Sequence, residues 1–265
     1  MATFTDIASR YRKTSLVQAS AGAQLIELLD IGGNADILDV GCGTGNLTME
    51  LLKRTTGSVT GIDPSEGMIR EASRIYSDPR IKFLVMDNRE MTFHEEFDII
   101  FCNSAFHWFT TPQLFLEKSR TALKPNGRIG IQAPAKAEYS PLFLKAISEC
   151  CTNPEIAQIF SGFRPPWILL ETAEAYSALF RDADFKVTYC SLEESSNRYT
   201  PEKVFDVFSS GAKAGYLNPA YYDAPLPESF EAAFLEGIKT SFERQAEADG
   251  LVDLLFHRIF LIAET

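Results

Sequence analysis

Three glycines in five residues, Gly41, Gly43 and Gly45, follow the apolar run Ile37–Val40 and precede the helix-like LTMELLKR. Glycine permits positive φ and close approach of a ligand to the backbone. The start of a helix beyond it presents unpaired N–H groups. The alternative is a tight strand-to-helix turn that holds nothing. A related glycine loop serves dinucleotide enzymes, whereas the absence of Gly-Lys-Ser/Thr excludes a nucleoside-triphosphate loop. Asp63 ends the next β-rich run, where nucleotide-binding α/β sheets place an acid that accepts hydrogen bonds from ribose hydroxyls; a turn or helix-cap role is its other reading. Asp87-Asn88 follows the third run and either meets an adenine edge or makes an Asx turn. After the fourth run stand Asn103 and then Phe106, His107 and Trp108, an aromatic wall at the edge where open sheets bind ligands.

These residues need strands to carry them. Residues 37–40, 58–62, 81–86, 97–102 and a fifth run after the Asn126-Gly127 turn alternate with helical patterns at 16–30, 47–54, after Ser65, and at 112–123. Ser65 is placed to cap its helix, with Met68, Ile69 and Ala72 facing inward. Alternating strands and helices imply a parallel sheet covered on both faces. Residues 136–170 hold Pro141, Pro154, Pro165 and Pro166 and cannot be one helix. A helix at 172–182 feeds a strand at 185–190, a proline-interrupted helical region covers 201–248, and 253–263 reads as a closing strand.

The 265 residues carry 25 Lys+Arg against 36 Asp+Glu, a net charge of −11, with 45% hydrophobic residues. That length suits one large domain, or a core with an insertion, and supports a core without disulfides or structural metal. The acidic balance without a basic block argues against a broad nucleic-acid surface and leaves a local basic groove open. No apolar run approaches the roughly 18–20 residues of a membrane span, and the start lacks a signal-peptide core, so a cytoplasmic protein is expected. The five cysteines form no CxxC pair and read as reduced packing thiols; no metal site is expected.

LDVGCGTG, GIDPSEGMI, MDN, SAFHWF and LKPNGRI, in this order and spacing, resemble a class I S-adenosylmethionine (SAM) dependent methyltransferase. SAFHWF is similar to the subgroup that includes trans-aconitate and malonyl-carrier-protein methyltransferases. The resemblance implies a Rossmann-like seven-stranded mixed α/β sheet, order 3-2-1-4-5-7-6, with helices on both faces; the chain's own pattern adds insertions that form a helical cap or, alternatively, a separate helical domain. It divides the chain into a SAM-binding half (1–135), a cap insertion (136–170), a core helix and sixth strand (171–198), a second cap insertion (199–250) and a closing strand (251–265). It implies that Gly41, Gly43 and Gly45 line the methionine and ribose part of SAM, with Asp39 near the amino group. Asp63 would bind the ribose, Met68 would pack on adenine, Asp87 and Asn88 would hold the adenine edge, and Asn103 would sit beside the sulfonium. Tyr11 matches the family's lid, or is an ordinary helix-surface residue. The chain departs from the family at Asp182-Ala183-Asp184-Phe185, where a glycine turn is common.

Methyl transfer from SAM, leaving S-adenosyl-L-homocysteine, needs alignment more than covalent chemistry. The expected acceptor is a small molecule, with a carboxylic acid the candidate that needs no base. His107 is the candidate base; otherwise it shapes the acceptor pocket with Phe106, Trp108 and Trp167. His94 is expected to face solvent and His257 to be structural. Arg164, Lys213 and Arg198 are either acceptor-binding cations or surface charge. A nicotinamide-dependent oxidoreductase and a non-catalytic SAM-binding protein are the competing functions; no membrane partner is expected, and the oligomeric state is left open.

Overall fold

In chain order the strands are β1 Ile37–Val40, β2 Val59–Asp63, β3 Ile81–Val85, β4 Phe97–Asn103, β5 Leu123–Pro134, β6 Lys186–Tyr199 and β7 Val252–Glu264. The computed structural model describes residues 16–265, with side chains from Ser20 onward. The helices are α1 Leu16–Leu28, α2 Asn46–Leu52, α3 Glu66–Ile75, α4 Pro112–Ala122, α5 Pro141–Cys150, α6 Pro154–Phe160, α7 Ala173–Arg181, α8 Pro201–Ser210, α9 Lys213–Tyr216 and α10 Glu228–Arg244. The sheet runs β3-β2-β1-β4-β5-β7-β6, the order the resemblance implies. β1 to β5 pair in parallel, and β7 is antiparallel to β5.

The chain divides into two compact units. Among the described residues, the core unit holds 16–137, Trp167–Glu193 and Arg258–Thr265. Successive strand residues point to opposite faces. Leu38, Ile100, Cys102 and Leu261 therefore meet α4 and α7 through Phe115, Leu116, Tyr176 and Phe180. Ile37, Ile99, Phe101 and Phe260 face the other way, onto Leu25, Leu29, Leu51 and Leu52 of α1 and α2. Each such fully buried large side chain stabilises the fold by about 1.5–3 kcal/mol. Helix α3 starts where its sequence says: Ser65 accepts a hydrogen bond from the Met68 N–H, and Met68, Ile69 and Ala72 are buried.

The helical unit holds Glu138–Pro166 and Glu194–His257. Phe143, Phe208, Phe234 and Phe242 fill its centre. α10 crosses α5 closely at Gly237, where a Cβ would lie 2.7 Å from Cys150 Sγ. Pro141, Pro154 and Pro201 open helices rather than break them, because the first helical position needs no N–H donor.

Two differences from expectation are informative. β6 extends to Tyr199 rather than stopping near 190. Its added stretch, SLEESSNRY, is mostly polar and so lacks the apolar alternation that marks a half-buried strand. In the 182–185 turn Asp184 adopts φ 60°, taking the left-handed conformation that a glycine would supply. All five cysteines are free. Among the described residues no helix is long and apolar enough to cross a membrane.

Candidate functional site

The glycine loop leaves β1 with Gly41 at φ 77°, Gly43 at 54° and Gly45 at 78°. A Cβ on Gly41 would lie 2.4 Å from the Cβ of Ala105, and one on Gly45 2.7 Å from the Phe83 ring. Both positions thus require glycine twice over, for backbone angle and for space. The loop is tied to β2, since the Gly41 and Cys42 N–H groups donate to the Ile62 carbonyl at 2.8 and 3.0 Å. Asp63 then clasps two turns at once: Oδ2 accepts from Gly43 N at 3.0 Å and Oδ1 from Ser65 N at 2.8 Å. A carboxylate has about four acceptor sites, so two remain for a ligand.

Asp39 is 2% exposed at the end of β1 and accepts a hydrogen bond from Thr48 Oγ1 at 2.6 Å. Burial pushes its carboxyl up to about 7, against the Thr48 bond, and the Asp63 charge adds to the rise. Burial likewise lifts Asp63 to about 6, opposed by the Ser65 and Gly43 N–H groups. Burial raises the Cys42 thiol well above its usual range, and the charges of Asp39 and Asp63 raise it further. Two acids and a protonated thiol therefore converge on one loop, which favours a cationic ligand.

At the end of β3 the Asx turn that the sequence leaves open is what forms. Asp87 Oδ1 accepts from the Arg89 backbone N–H at 2.9 Å. The Arg89 side chain spans both oxygens of Asp87, Nε to Oδ1 at 2.8 Å and Nη2 to Oδ2 at 3.0 Å. Burial would raise the Asp87 carboxyl, but the Arg89 contacts outweigh it and hold the carboxyl below its usual value. The neighbouring Asn88 Oδ1 is buried without a hydrogen-bond partner. Met68 is 2% exposed in α3.

β4 ends at Asn103, paired in register with Gln132 of β5. Ser104, next in the chain, has φ 54° and donates its N–H to the Gln132 carbonyl at 2.7 Å. With its amide turned to satisfy its neighbours, Gln132 donates to Ser104 Oγ (3.0 Å) and Asn103 Oδ1 (2.8 Å). It then accepts from Arg258 Nη1 at 3.2 Å. His107 is buried, its Nδ1 has no hydrogen-bond partner, and burial together with the Arg258 charge lowers its pKa to about 3. Trp108 lies beside it, ring centroids 5.2 Å apart, and packs edge-on against Trp167 at 5.6 Å. Both tryptophans are half-buried.

Phe106 is a correction. Instead of lining a pocket it is fully buried, its ring among Phe109, Phe115, Tyr176 and Phe180. In the short turn Phe106–Trp108 one of three successive side chains must face the core, and the apolar ring takes that place. Tyr11 lies outside the described residues. Arg164, Arg198 and Lys213 are surface charges, paired with Asp223, with Glu247 and Asp249, and with Glu231. His94 is exposed. His257 is held within the helical unit, Nδ1 against the Glu138 carbonyl at 2.6 Å. Sequence reasoning passed over Arg258 and Gln132. The available signal was an arginine inside the otherwise apolar run LLFHRIFLIA.

Residues 37–127, which span this loop and the strand ends after it, match the family model described as "Methyltransferase domain". This segment resembles a methyltransferase domain. The chain is 31% identical over 142 residues to a malonyl-[acyl-carrier protein] O-methyltransferase of Acetivibrio thermocellus, covering 52% of this chain and 50% of that one. It is 28% identical over 269 residues to a trans-aconitate 2-methyltransferase of Methylobacterium nodulans, covering 97% of this chain and 96% of that one. Against several curated relatives it matches, the chain spans about half their length. A solved structure described as a putative methyltransferase from Bacillus halodurans C-125 superposes with TM-score 0.60 at 16% identity, covering 92% and 98% of the two chains. At that identity the likeness is one of fold.

Proposed function

We propose that the chain transfers a methyl group from SAM to a small acceptor that is already anionic, a carboxylic acid free or carried on a protein, and releases S-adenosyl-L-homocysteine. The observation that supports this most is the pairing of Asp39 with Asp63 at the glycine loop. Their carboxyls are raised by burial and, for Asp39, by the other's charge. A ligand bearing a sulfonium and an ammonium relieves that strain. A dinucleotide would instead bring its anionic pyrophosphate against Asp39, which disfavours the nicotinamide reading. The relatives named above, trans-aconitate and malonyl-[acyl-carrier protein] methyltransferases, agree with an acid acceptor.

In this reading Asp63 holds the ribose with its two remaining acceptor sites, and the glycine turn lets backbone lie against the ligand. Asp39 faces the amino group, and Met68 flanks the adenine. Asn88 offers its orphaned Oδ1 to the adenine amino group, beside an Asp87 already engaged by Arg89. Asn103 lies beside the reacting centre, and Trp108 with Trp167 walls the acceptor. Bound SAM supplies a methyl carbon whose bond to sulfur breaks as the acceptor oxygen bonds to it, the electron pair staying on sulfur. The protein holds the two in line and excludes water. An imidazole with pKa about 3 is a weak base at neutral pH, so His107 shapes the pocket, and an acceptor that is ionised before it arrives fits the site better than a phenol or amine.

The division into a cofactor half (1–135) and a cap (136–170 and 199–250), and a cytoplasmic location, belong to this proposal too. The test is calorimetry with SAM, S-adenosylhomocysteine and nicotinamide dinucleotides, then turnover with labelled SAM and a panel of organic acids. Retention of SAM with turnover supports the enzyme; retention without turnover supports a SAM-binding protein; retention of the dinucleotide alone ends the proposal. At a hundredfold excess over Kd a ligand stabilises the fold by about 2.7 kcal/mol, well within reach of a thermal shift.

A further inference from the structure

Helix α3 is tied to the glycine loop at both of its ends. At its start the Ser65 N–H donates to Asp63 Oδ1, and the other oxygen of Asp63 accepts from Gly43 N. At its finish Tyr76 closes the helix, its N–H donating to the Ala72 carbonyl at 2.9 Å. The Tyr76 hydroxyl then donates to Asn46 Oδ1 at 3.0 Å, and Asn46 opens α2. A ten-residue helix is about 15 Å long, so the two ties start far apart and converge on residues 43–46. Two rings pack against the same stretch. A Cβ on Gly45 would lie 2.7 Å from Phe83 Cζ and 3.1 Å from Tyr76 Cδ2, and one on Gly61 2.9 Å from Phe83 Cδ1. The Phe83 ring therefore fills space that two absent side chains leave, and Tyr76 borders it.

Glycine loses more conformational freedom on ordering than any other residue, so a loop with three of them keeps one shape only with support from outside. Gly45 caps α2 at φ 78° with no side-chain hydrogen bond of its own. We infer that Tyr76 is a positioning residue: through Asn46 and Gly45 it holds the glycine loop in its ligand-binding shape, and it acts on the loop rather than on the ligand. Helix α3 gives it a fixed base, since Met68, Ile69 and Ala72 are buried. A loop ordered beforehand does not spend binding energy on ordering, and the apparent Kd rises in proportion as the competent fraction falls. The inference rests on the methyltransferase reading for the identity of the ligand. There Met68 flanks the adenine, Asp63 holds the ribose and the glycines meet the methionine part, so one helix sets all three places at once.

S-adenosylhomocysteine is titrated by calorimetry into wild type, Tyr76→Phe, Asn46→Ala and the double variant, at a temperature where urea unfolding shows each to be folded. Tyr76→Phe keeps the ring and removes only the hydroxyl. It is expected to weaken the ligand about fivefold, about 1 kcal/mol, the net worth of one neutral hydrogen bond. Asn46→Ala removes the same bond from its other side and is expected to match it. The double variant should then bind no more weakly than either single one, because two changes that break one contact do not add. A bond that serves stability alone would lower the urea midpoint and leave Kd where it was. That result in both single variants, or losses that multiply in the double variant, overturns the inference. Wild type that holds a nicotinamide dinucleotide in place of S-adenosylhomocysteine removes the methyltransferase reading, and the same four proteins titrated with the dinucleotide then decide the loop's support by the same two outcomes. Wild type that holds neither overturns both.

Discussion

The two ends of the core unit's ligand edge are built with opposite charge. Where β1 and β2 end, Asp39 and Asp63 share a glycine loop, and burial raises both carboxyls to about 7 and about 6. Where β4 and β5 end, burial lowers the Arg258 guanidinium to about 10, and it helps to hold His107 neutral. In both places burial works against the charged form. The contrast teaches that one row of strand ends can bury carboxyls at one end and a guanidinium at the other, with burial moving each toward its neutral form.

The acidic end breaks most completely at Asp63. Asp63→Ala should weaken SAM about a hundredfold (about 2.7 kcal/mol), since charged hydrogen bonds of this kind are worth 1.5–3 kcal/mol each; calorimetry reads it, and an unchanged Kd removes the ribose assignment. Gly41→Ala attacks the loop's shape: a methyl 2.4 Å from Ala105 at φ 77° should cost about 2–3 kcal/mol in urea unfolding. Adding Ala105→Gly should restore the steric part only.

Acid sharpens the comparison next. A carboxyl has a pKa near 4 in the unfolded chain, and both acids sit above that in the fold. Their stabilising contribution in the free protein is therefore complete below pH about 4 and lost as pH rises through 6 to 7. Binding a cationic ligand needs them ionised, so SAM should bind about tenfold more weakly at pH 5 than at pH 8. Asp39→Asn should flatten part of that slope. At the other end, His107→Gln should leave kcat within about threefold, where loss of a true general base costs 10²–10⁴; a hundredfold drop with loss of a limb near pH 6.5 would restore the base. Smallest of all, Arg164→Ala breaks an exposed pair with Asp223 and should shift unfolding by less than about 0.5 kcal/mol.

The acidic end was legible in the sequence because its devices are local. Gly41, Gly43 and Gly45 fall within one five-residue stretch, Asp63 closes its own strand, and Ser65 caps the helix it precedes. The cationic end was not, because it is assembled across the sheet from β4, β5 and the antiparallel β7, and no spacing in the chain encodes that register. Phe106 shows the same limit: which of three neighbouring rings turns inward depends on Phe115 and Phe180, from distant helices. In the helical unit the prolines marked helix boundaries correctly, but its ring-on-ring packing left no local trace, as aromatic residues are common to cores and pockets alike.

Cys42 stands in the middle of the glycine loop, and burial, aided by the two neighbouring acids, keeps its sulfur protonated. Peroxide and alkylating reagents attack the thiolate rather than the thiol. The thin turn therefore carries a sulfur shielded from oxidative damage first by its burial and then by the acids beside it, and the protein should keep its affinity after exposure to oxidants that inactivate enzymes with acidic thiols.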